Sequence, residues 1–509
     1  MNRRRPLLPS LVGLAPGLFP FLFIATKRPV LPMTLMKTLK TRARAWLALP
    51  LLAAGLPAPA QTTDSLTVEA RKWSRDKQHV PFYSPWVTFK AMTVDRLPGF
   101  RPAPPPALSR YGGDATRTWK ATGFFRTQQV KGRWWLVDPD GHPGLTMAVT
   151  SIRPAPAATS TAAFAKAFAS PQDWLAKTQA VLDQGGFNGA GTWSETPAIQ
   201  EYNRTAKKPI TYAPMLGFIN TFGQQLLKSR PASKQQPRPA VVFDPGWAAF
   251  CQEHARGAAA YRTDANVLGH FSDNEIAFIP TLLGKVLALR DPAEPAYAAA
   301  VQWLATQKAD SAHLTADLKD AFAGYAAAKY YQAVSPAIKK NDPNHLYLGT
   351  RLHGSAKFNR HIFAAAEPYV DVVSINFYGQ WQPTRATLAQ WARWTTKPFF
   401  ISEFYTKAED SGLSNMTGAG WLVRKEADRA THYQNFCLAL LQAKNCVGWH
   451  HFRYQDNDPT DPGTDPPDMG VNKGIVDTKY QPYTTVLPAM KQLNQNVFGL
   501  IEFFDKQKK

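Results

Sequence analysis

Short apolar runs alternate with longer amphipathic stretches between residues 145 and 450 of this chain. The runs at 145–149, 187–191, 210–216, 267–271, 346–349, 370–375, 398–402 and 447–450 each have the length of a buried strand. Between them the pattern turns helical over 171–184, 247–263, 321–340 and 427–443, and across an insertion at 276–318. The first of these helices should stop at Gly185-Gly186, because glycine takes the left-handed cap without strain. Continuous apolar strands alternating with helices read as parallel strands covered on both faces. Eight alternations predict an α/β fold, a (β/α)8 TIM barrel spanning residues 121–498.

The remaining segments carry different patterns. Gly123-Phe124-Phe125-Arg126-Thr127 and Arg133-Trp134-Trp135-Leu136-Val137 flank a Lys131-Gly132 turn. They read as a β-hairpin, placed to cap one end of the barrel. Residues 61–120 are polar and proline-rich, ending in Arg101-Pro102-Ala103-Pro104-Pro105-Pro106, which predicts an extended arm with little core of its own. Residues 224–240 read as an inserted polar loop, and 499–509 as a C-terminal tail.

Barrel topology makes the strand ends the place to look for chemistry, since their C-terminal tips converge however far apart they lie in sequence. The fourth strand runs into Phe271-Ser272-Asp273-Asn274-Glu275, and the seventh into Ile401-Ser402-Glu403-Phe404-Tyr405. A half-desolvated glutamate beside an amide suits general-acid work, because burial raises a carboxyl pKa. Two glutamates on two strand tips are what a retaining glycosidase needs. Trp193, Arg351, Asn376, Tyr378 and Trp449 would open into the same cleft, with His450 facing it and His451 turned away by strand alternation.

Composition narrows this further. Aromatic residues make up 12% of the chain, with 15 Trp, enough to serve both a large core and a sugar-stacking surface. Residues 1–60 hold nine Lys or Arg and no Asp or Glu. Within them a basic stretch at 37–44, an apolar stretch at 45–56 and Ala58-Pro59-Ala60 have the form of a signal peptide and its cleavage site. Residues 1–32 read as an upstream extension, with the true start at Met33 or Met36. The expected location is periplasmic or extracellular, without stable membrane insertion once the signal is removed. Taking those nine charges from the formal +22 leaves +13, with the basic residues scattered and no nucleic-acid motif. Three cysteines make no disulfide framework; buried thiols are the expectation, with a Cys437–Cys446 pair the alternative. Asp456-Asn457-Asp458-Pro459-Thr460-Asp461 is oxygen-rich but lacks the glycine and terminal glutamate of a calcium loop. No metal or other cofactor is called for.

Taken together, several motifs resemble the family 50 β-agarases, within the clan of retaining glycoside hydrolases that includes cellulases, mannanases and β-galactosidases. They are Gly-Phe-Phe-Arg-Thr at 123, Arg-Trp-Trp-Leu-Val-Asp-Pro-Asp-Gly-His at 133, Phe-Ser-Asp-Asn-Glu at 271, Ser-Ile-Asn-Phe-Tyr at 374 and Ile-Ser-Glu-Phe at 401. The run from Gly448 to Asp458 and Asn472-Lys473-Gly474-Ile475-Val476 complete the set. The resemblance covers about residues 120–495; the stretch 61–120 is too short for the larger N-terminal carbohydrate-binding-like domain of that family. It implies Glu275 as general acid/base and Glu403 as nucleophile, with the Tyr378 hydroxyl beside Glu403. Asn274 would bond a sugar 2-hydroxyl and Trp449 would lie under the sugar at the cleaved position. The implied partner is a polysaccharide or oligosaccharide. Two other readings stay open: a hydrolase of another β-glycan such as mannan, glucan or galactan, and a non-catalytic carbohydrate-binding barrel. Loops 193–240, 276–310 and 455–475 would carry the specificity that separates them.

Overall fold

The computed structural model describes residues 65–507 except 77, 79, 230–235 and 462–467. The signal segment at 1–60 therefore lies outside the described residues, as does part of the loop expected at 224–240.

The protein is a mixed α/β molecule built on eight parallel strands. These are β1 (Thr146–Val149), β2 (Gly189–Ala190), β3 (Thr211–Tyr212), β4 (Gly269–Phe271), β5 (Leu346–Gly349), β6 (Val373–Asn376), β7 (Phe399–Glu403) and β8 (Cys446–His451). Six of them form one parallel sheet in the order β3-β2-β1-β8-β7-β6, and β4 pairs with β5. Isolated parallel bridges connect the two sets: Tyr212 with Val267 and Met215 with Phe271 on one side, Leu352 with Ile375 on the other. All residues of β1, β5, β6, β7 and β8 are buried, which is why they read as continuous apolar runs.

Local signals set the helix ends. Helix Pro171–Gly185 starts where the Ser170 side chain accepts from Asp173 N, with proline at its first turn, and stops at Gly186 with φ 67°. Helix Ala316–Asn341 begins earlier than its apolar pattern implies, because Thr315 caps the Leu318 amide. Residues 276–318 hold two helices, Thr281–Leu287 and Pro295–Thr306.

Three expectations need correction. Residues 61–120 are more than an extended arm. Strand Thr67–Arg71 pairs with Val87–Lys90 and with Trp421–Val423, and the latter pairs with Thr406–Ala408. Val68 and Ala70 alternate inward and bury a small cluster with Trp381, Ala408 and Val423, while Phe89 stacks on Trp381 at 4.7 Å. The inserted loop is partly helix: Phe218–Ser229 runs into it, held by buried Phe218, Ile219 and Phe222, and a 3-10 turn covers Arg238–Phe243. The C-terminal tail is helix Val497–Lys506, whose Val497, Leu500 and Ile501 fall on one buried face. As expected, Cys437 and Cys446 are buried free thiols.

The hairpin, Arg126–Val130 with Arg133–Val137, sits at the N-terminal end of β8. There Trp134 N bonds Lys444 O, and buried Arg133 reaches Asp505 and the carbonyls of Leu441 and Ala443. Among the described residues no helix is long and apolar enough to cross a membrane.

Candidate active site

At the opposite, C-terminal ends of the strands the backbone departs from ordinary geometry. Nine non-glycine residues among those described have positive φ, and four of them follow strand tips: Ser151 after β1, Trp193 after β2, Glu275 after β4 and Arg351 after β5. Left-handed backbone costs a non-glycine residue of order 1 kcal/mol or more, so the surrounding bonds must hold it. They do so here. Glu275 N donates to Thr350 O at 3.1 Å, Ser151 N to Thr192 O at 2.8 Å, and Arg351 N to Ser374 Oγ at 3.0 Å. The result is a rigid rim that aims side chains inward.

Seven polar side chains interlock on that rim, and their donors and acceptors can be assigned in sequence. Arg351 can only donate. Its Nη1 lies 2.9 Å from Asn274 Oδ1 and its Nη2 lies 2.6 Å from Glu403 Oε1 and 3.0 Å from Ser402 O. That contact fixes Asn274 with its oxygen toward Arg351. Asn376 must then present Nδ2 to Asn274 Oδ1 at 3.2 Å, and the same Nδ2 donates to Glu275 Oε1 at 2.8 Å. Asn376 Oδ1 in turn accepts from Ser402 Oγ at 2.7 Å. Tyr378 OH completes the chain by donating to Glu403 Oε2 at 3.0 Å. One continuous network thus joins Glu275 to Glu403, and a guanidinium and two amides set its polarity.

The two glutamates sit differently within it. Glu403 is buried between Arg351 and Tyr378, whereas the Glu275 side chain keeps 29% of its surface open. Burial and the facing Glu403 carboxylate push the Tyr378 phenol well above its ordinary value, so it stays a donor. Lys357, whose Nζ donates to Tyr378 O at 3.2 Å, is drawn down to about 8 by burial, against the pull of Glu275. Asp273 belongs to the scaffold. Its carboxyl accepts from Ile219 N at 3.1 Å and Tyr330 OH at 2.6 Å, anchoring the start of helix Phe218–Ser229, and burial raises it to about 7.

No family model matches the chain. The structure titled BpGH50 is 33% identical, aligned over 90% of this chain and all of that one with a TM-score of 0.77. This chain belongs to glycoside hydrolase family 50. Beta-agarase B of Vibrio sp. (strain JT0107) is 26% identical over 78% of this family 50 chain and 50% of its own length. The chain thus spans about half the length of that curated relative. A solved exo-beta-agarase, 21% identical with a TM-score of 0.64, shares the fold.

Of the residues expected at the site of this family 50 protein, Glu275, Glu403, Asn274, Asn376, Arg351 and Tyr378 come together. Trp193 joins them, 37% exposed, with the Arg351 guanidinium 5.9 Å from its ring. Two expectations fail. Trp449 is fully buried and its indole N–H donates to Tyr433 OH at 2.8 Å, so it packs on helix Glu426–Leu441 instead of underlying the cleft. Its neighbour His450 points inward by alternation, but too deep. Its Nε2 meets Thr146 Oγ1 at 2.9 Å, its ring packs 4.8 Å from Phe400, and burial lowers it to about 3. His353, Lys357 and Ser402 were missed. His353 stands two residues past Arg351 on the same strand tip, a position that could have flagged it.

Two polar clusters among the described residues carry metal-ligand chemistry, and hydrogen bonds engage both. In the loop after β8, Asp456 accepts from Lys473 N at 2.9 Å, Gly474 N at 2.6 Å and Tyr483 OH at 2.5 Å, so its oxygens are filled by donors. His270, Asp342 and His345 form a buried cluster. Both imidazoles there contact Asp342 Oδ2 at 2.6 and 2.7 Å, the lengths of hydrogen bonds.

Proposed function

We propose that this chain is a retaining β-glycoside hydrolase acting on an agarose-like galactan, with Glu403 as nucleophile and Glu275 as general acid/base. The observation that carries this is the polar chain from Glu275 through Asn376, Asn274 and Arg351 to Glu403, with opposite environments at its two ends. Relatives named as β-agarases support the substrate class. The pairing order of the eight strands, with bridges at both junctions, supports reading the fold as the (β/α)8 barrel of the retaining clan. We include export in the reading, on the strength of the segment at 1–60, which makes the working location periplasmic or extracellular.

The chemistry follows from donors and acceptors. Arg351 and Tyr378 stabilise Glu403 as a carboxylate, the form that attacks the anomeric carbon. Glu275, half-open and bonded to a neutral amide, protonates the departing oxygen as the bond to the sugar breaks. A water then enters, gives its proton to Glu275 and releases the sugar from Glu403. Asn274 spends its oxygen on Arg351 and Asn376, so its Nδ2 is the group offered to the sugar, toward a 2-hydroxyl.

Azide rescue tests the assignment. Glu275→Ala should lose about 10²- to 10⁴-fold on agarose oligosaccharides. It should form the glycosyl-enzyme from an activated aryl β-galactoside and give a β-glycosyl azide when azide replaces water. Glu403→Ala should turn over neither substrate, and azide should give the α-azide or nothing. Identical behaviour of the two variants would overturn the roles. Activity on mannan or β-glucan but not on agarose would overturn the substrate alone.

A further inference from the structure

One titratable side chain in the cleft has no part in the chemistry above. His353 follows β5, 36% exposed, with its Nδ1 3.5 Å from Glu275 Oε2 and its ring edge-on to Tyr378 at 5.9 Å. The other oxygen, Glu275 Oε1, receives the Asn376 amide N–H, and Arg351 fixes that amide through Asn274. An oxygen that accepts an N–H serves as the carbonyl side of a carboxylic acid, so the acidic proton belongs on Oε2. Oε2 faces His353.

We propose that His353 is the positioning residue of the general acid, its neutral Nδ1 closing from 3.5 Å to accept the Oε2 proton of Glu275 until a glycosidic oxygen takes its place. The inference rests on the acid/base assignment of Glu275. Proton and bond counts close without His353 changing charge. The proton passes from Oε2 to the leaving oxygen as the sugar–oxygen bond breaks and the sugar–Glu403 bond forms. Water returns a proton to Oε2 when its oxygen displaces Glu403. His353 then recaptures that hydrogen bond.

The surroundings keep the ring neutral. Glu275 from the β4 tip, Glu403 from the β7 tip, Tyr378 past β6, Lys357 from the turn Ala356–Phe358 and Lys72 from the N-terminal strands all face it. Burial first, then Lys357 and Lys72, lower it to about 4 against the opposing pull of Glu403. A neutral imidazole with its hydrogen on Nε2 offers Nδ1 as an acceptor. Such an acceptor stabilises the protonated form of Glu275, so its loss makes that acid ionise at lower pH.

The test compares His353→Ala and His353→Asn, the latter restoring an acceptor oxygen where Nδ1 stands. The readouts are pH profiles of kcat/KM on an agarose oligosaccharide and on an activated aryl β-galactoside. His353→Ala should move the alkaline limb on the oligosaccharide down by about one pH unit and cut kcat/KM about tenfold at neutral pH. The aryl substrate should lose no more than about twofold, because its leaving group departs without a proton. His353→Asn should recover most of the limb. Equal losses on both substrates with an unmoved limb would assign His353 to binding or structure and overturn the proposal, as would an unchanged profile. A Glu275→Gln control separates the two levels: if it keeps the alkaline limb, the acid/base assignment itself fails.

Discussion

Two of the buried polar networks among the described residues, one at the tips of β4 to β7 and one in the loop after β8, are closed to different degrees. In the loop, Asp456 is surrounded by donors from its own chain: two backbone amides, the Tyr483 hydroxyl and Asn472 Nδ2 at 3.2 Å. Burial pushes its carboxyl up while those donors pull it back, and both of its oxygens are engaged within the protein. At the strand tips, the Asn274 amide nitrogen is uncommitted and Glu275 stays part-open, on backbone held in a left-handed turn. A polar cluster reads as scaffold when its valences close internally, and as a site when they converge on a cleft and stay unfilled. Residue type alone does not separate the two, since both contain Asp or Glu, Asn and a tyrosine hydroxyl.

Breaking the hub of the open network should give the largest effect. Arg351 is fully buried, orients Asn274 and pairs with Glu403 at 2.6 Å. Arg351→Met removes one partner of a buried pair, a change that costs about 3–5 kcal/mol of stability. It should also abolish measurable turnover in whatever protein remains folded, because both Asn274 and Glu403 lose their fixed orientation. Denaturant melts and single-turnover assays check the two parts separately. A variant that melts early yet turns over normally would show the strand-tip network to be scaffold, like the loop.

The converse change belongs in the closed network. Asp456→Asn keeps the shape but sets an amide against backbone donors, at a cost of about 1–3 kcal/mol. The expected result is a lowered melting temperature with kcat and KM little altered at a temperature where the variant stays folded. A fall in kcat with unchanged stability would move the loop from scaffold to site.

Sequence carried much of this, and the gaps have physical causes. Strand β5 falls where its apolar run lies, and helix Pro171–Gly185 ends at its glycine, because burial and capping are local signals. The gathering of Asn274, Glu275, Asn376 and Glu403 follows from strand tips converging in parallel topology, once the strands are found. Trp449 was misplaced because a fully buried strand shows no apolar–polar alternation to tell its two faces apart, and His450, on the expected face, because sequence does not tell how deep a residue lies. The N-terminal sheet was hidden for another reason. Its partner strands, Thr406–Ala408 and Trp421–Val423, are three residues each and far away in sequence. Prolines at 102–106 dominated that stretch, although the alternation of Val68 and Ala70 was present beside them.

The smallest effect on turnover is expected at Asp273, the acidic residue next to the open network but turned away from it. Burial raises its carboxyl from an ordinary 3.8 to about 7 in the folded protein. The folded state therefore binds this proton more tightly than the unfolded chain does. The stability it confers is fully present below pH 4 and lost as pH rises through about 7. Asp273→Asn carries no titrating proton but can still accept from Ile219 N. The stability difference between wild type and variant, measured by urea denaturation from pH 4 to 8, should shift against the wild type across that range by up to about 4 kcal/mol. Should Asp273 instead stay ionised down to pH 4, held by Tyr330 and the helix start, the difference would be flat above that pH. The wild type would then lose ground only on acidification. That opposite slope would mean donors outweigh burial at Asp273, as they do at Asp342, whose carboxyl is held low by His270 and His345.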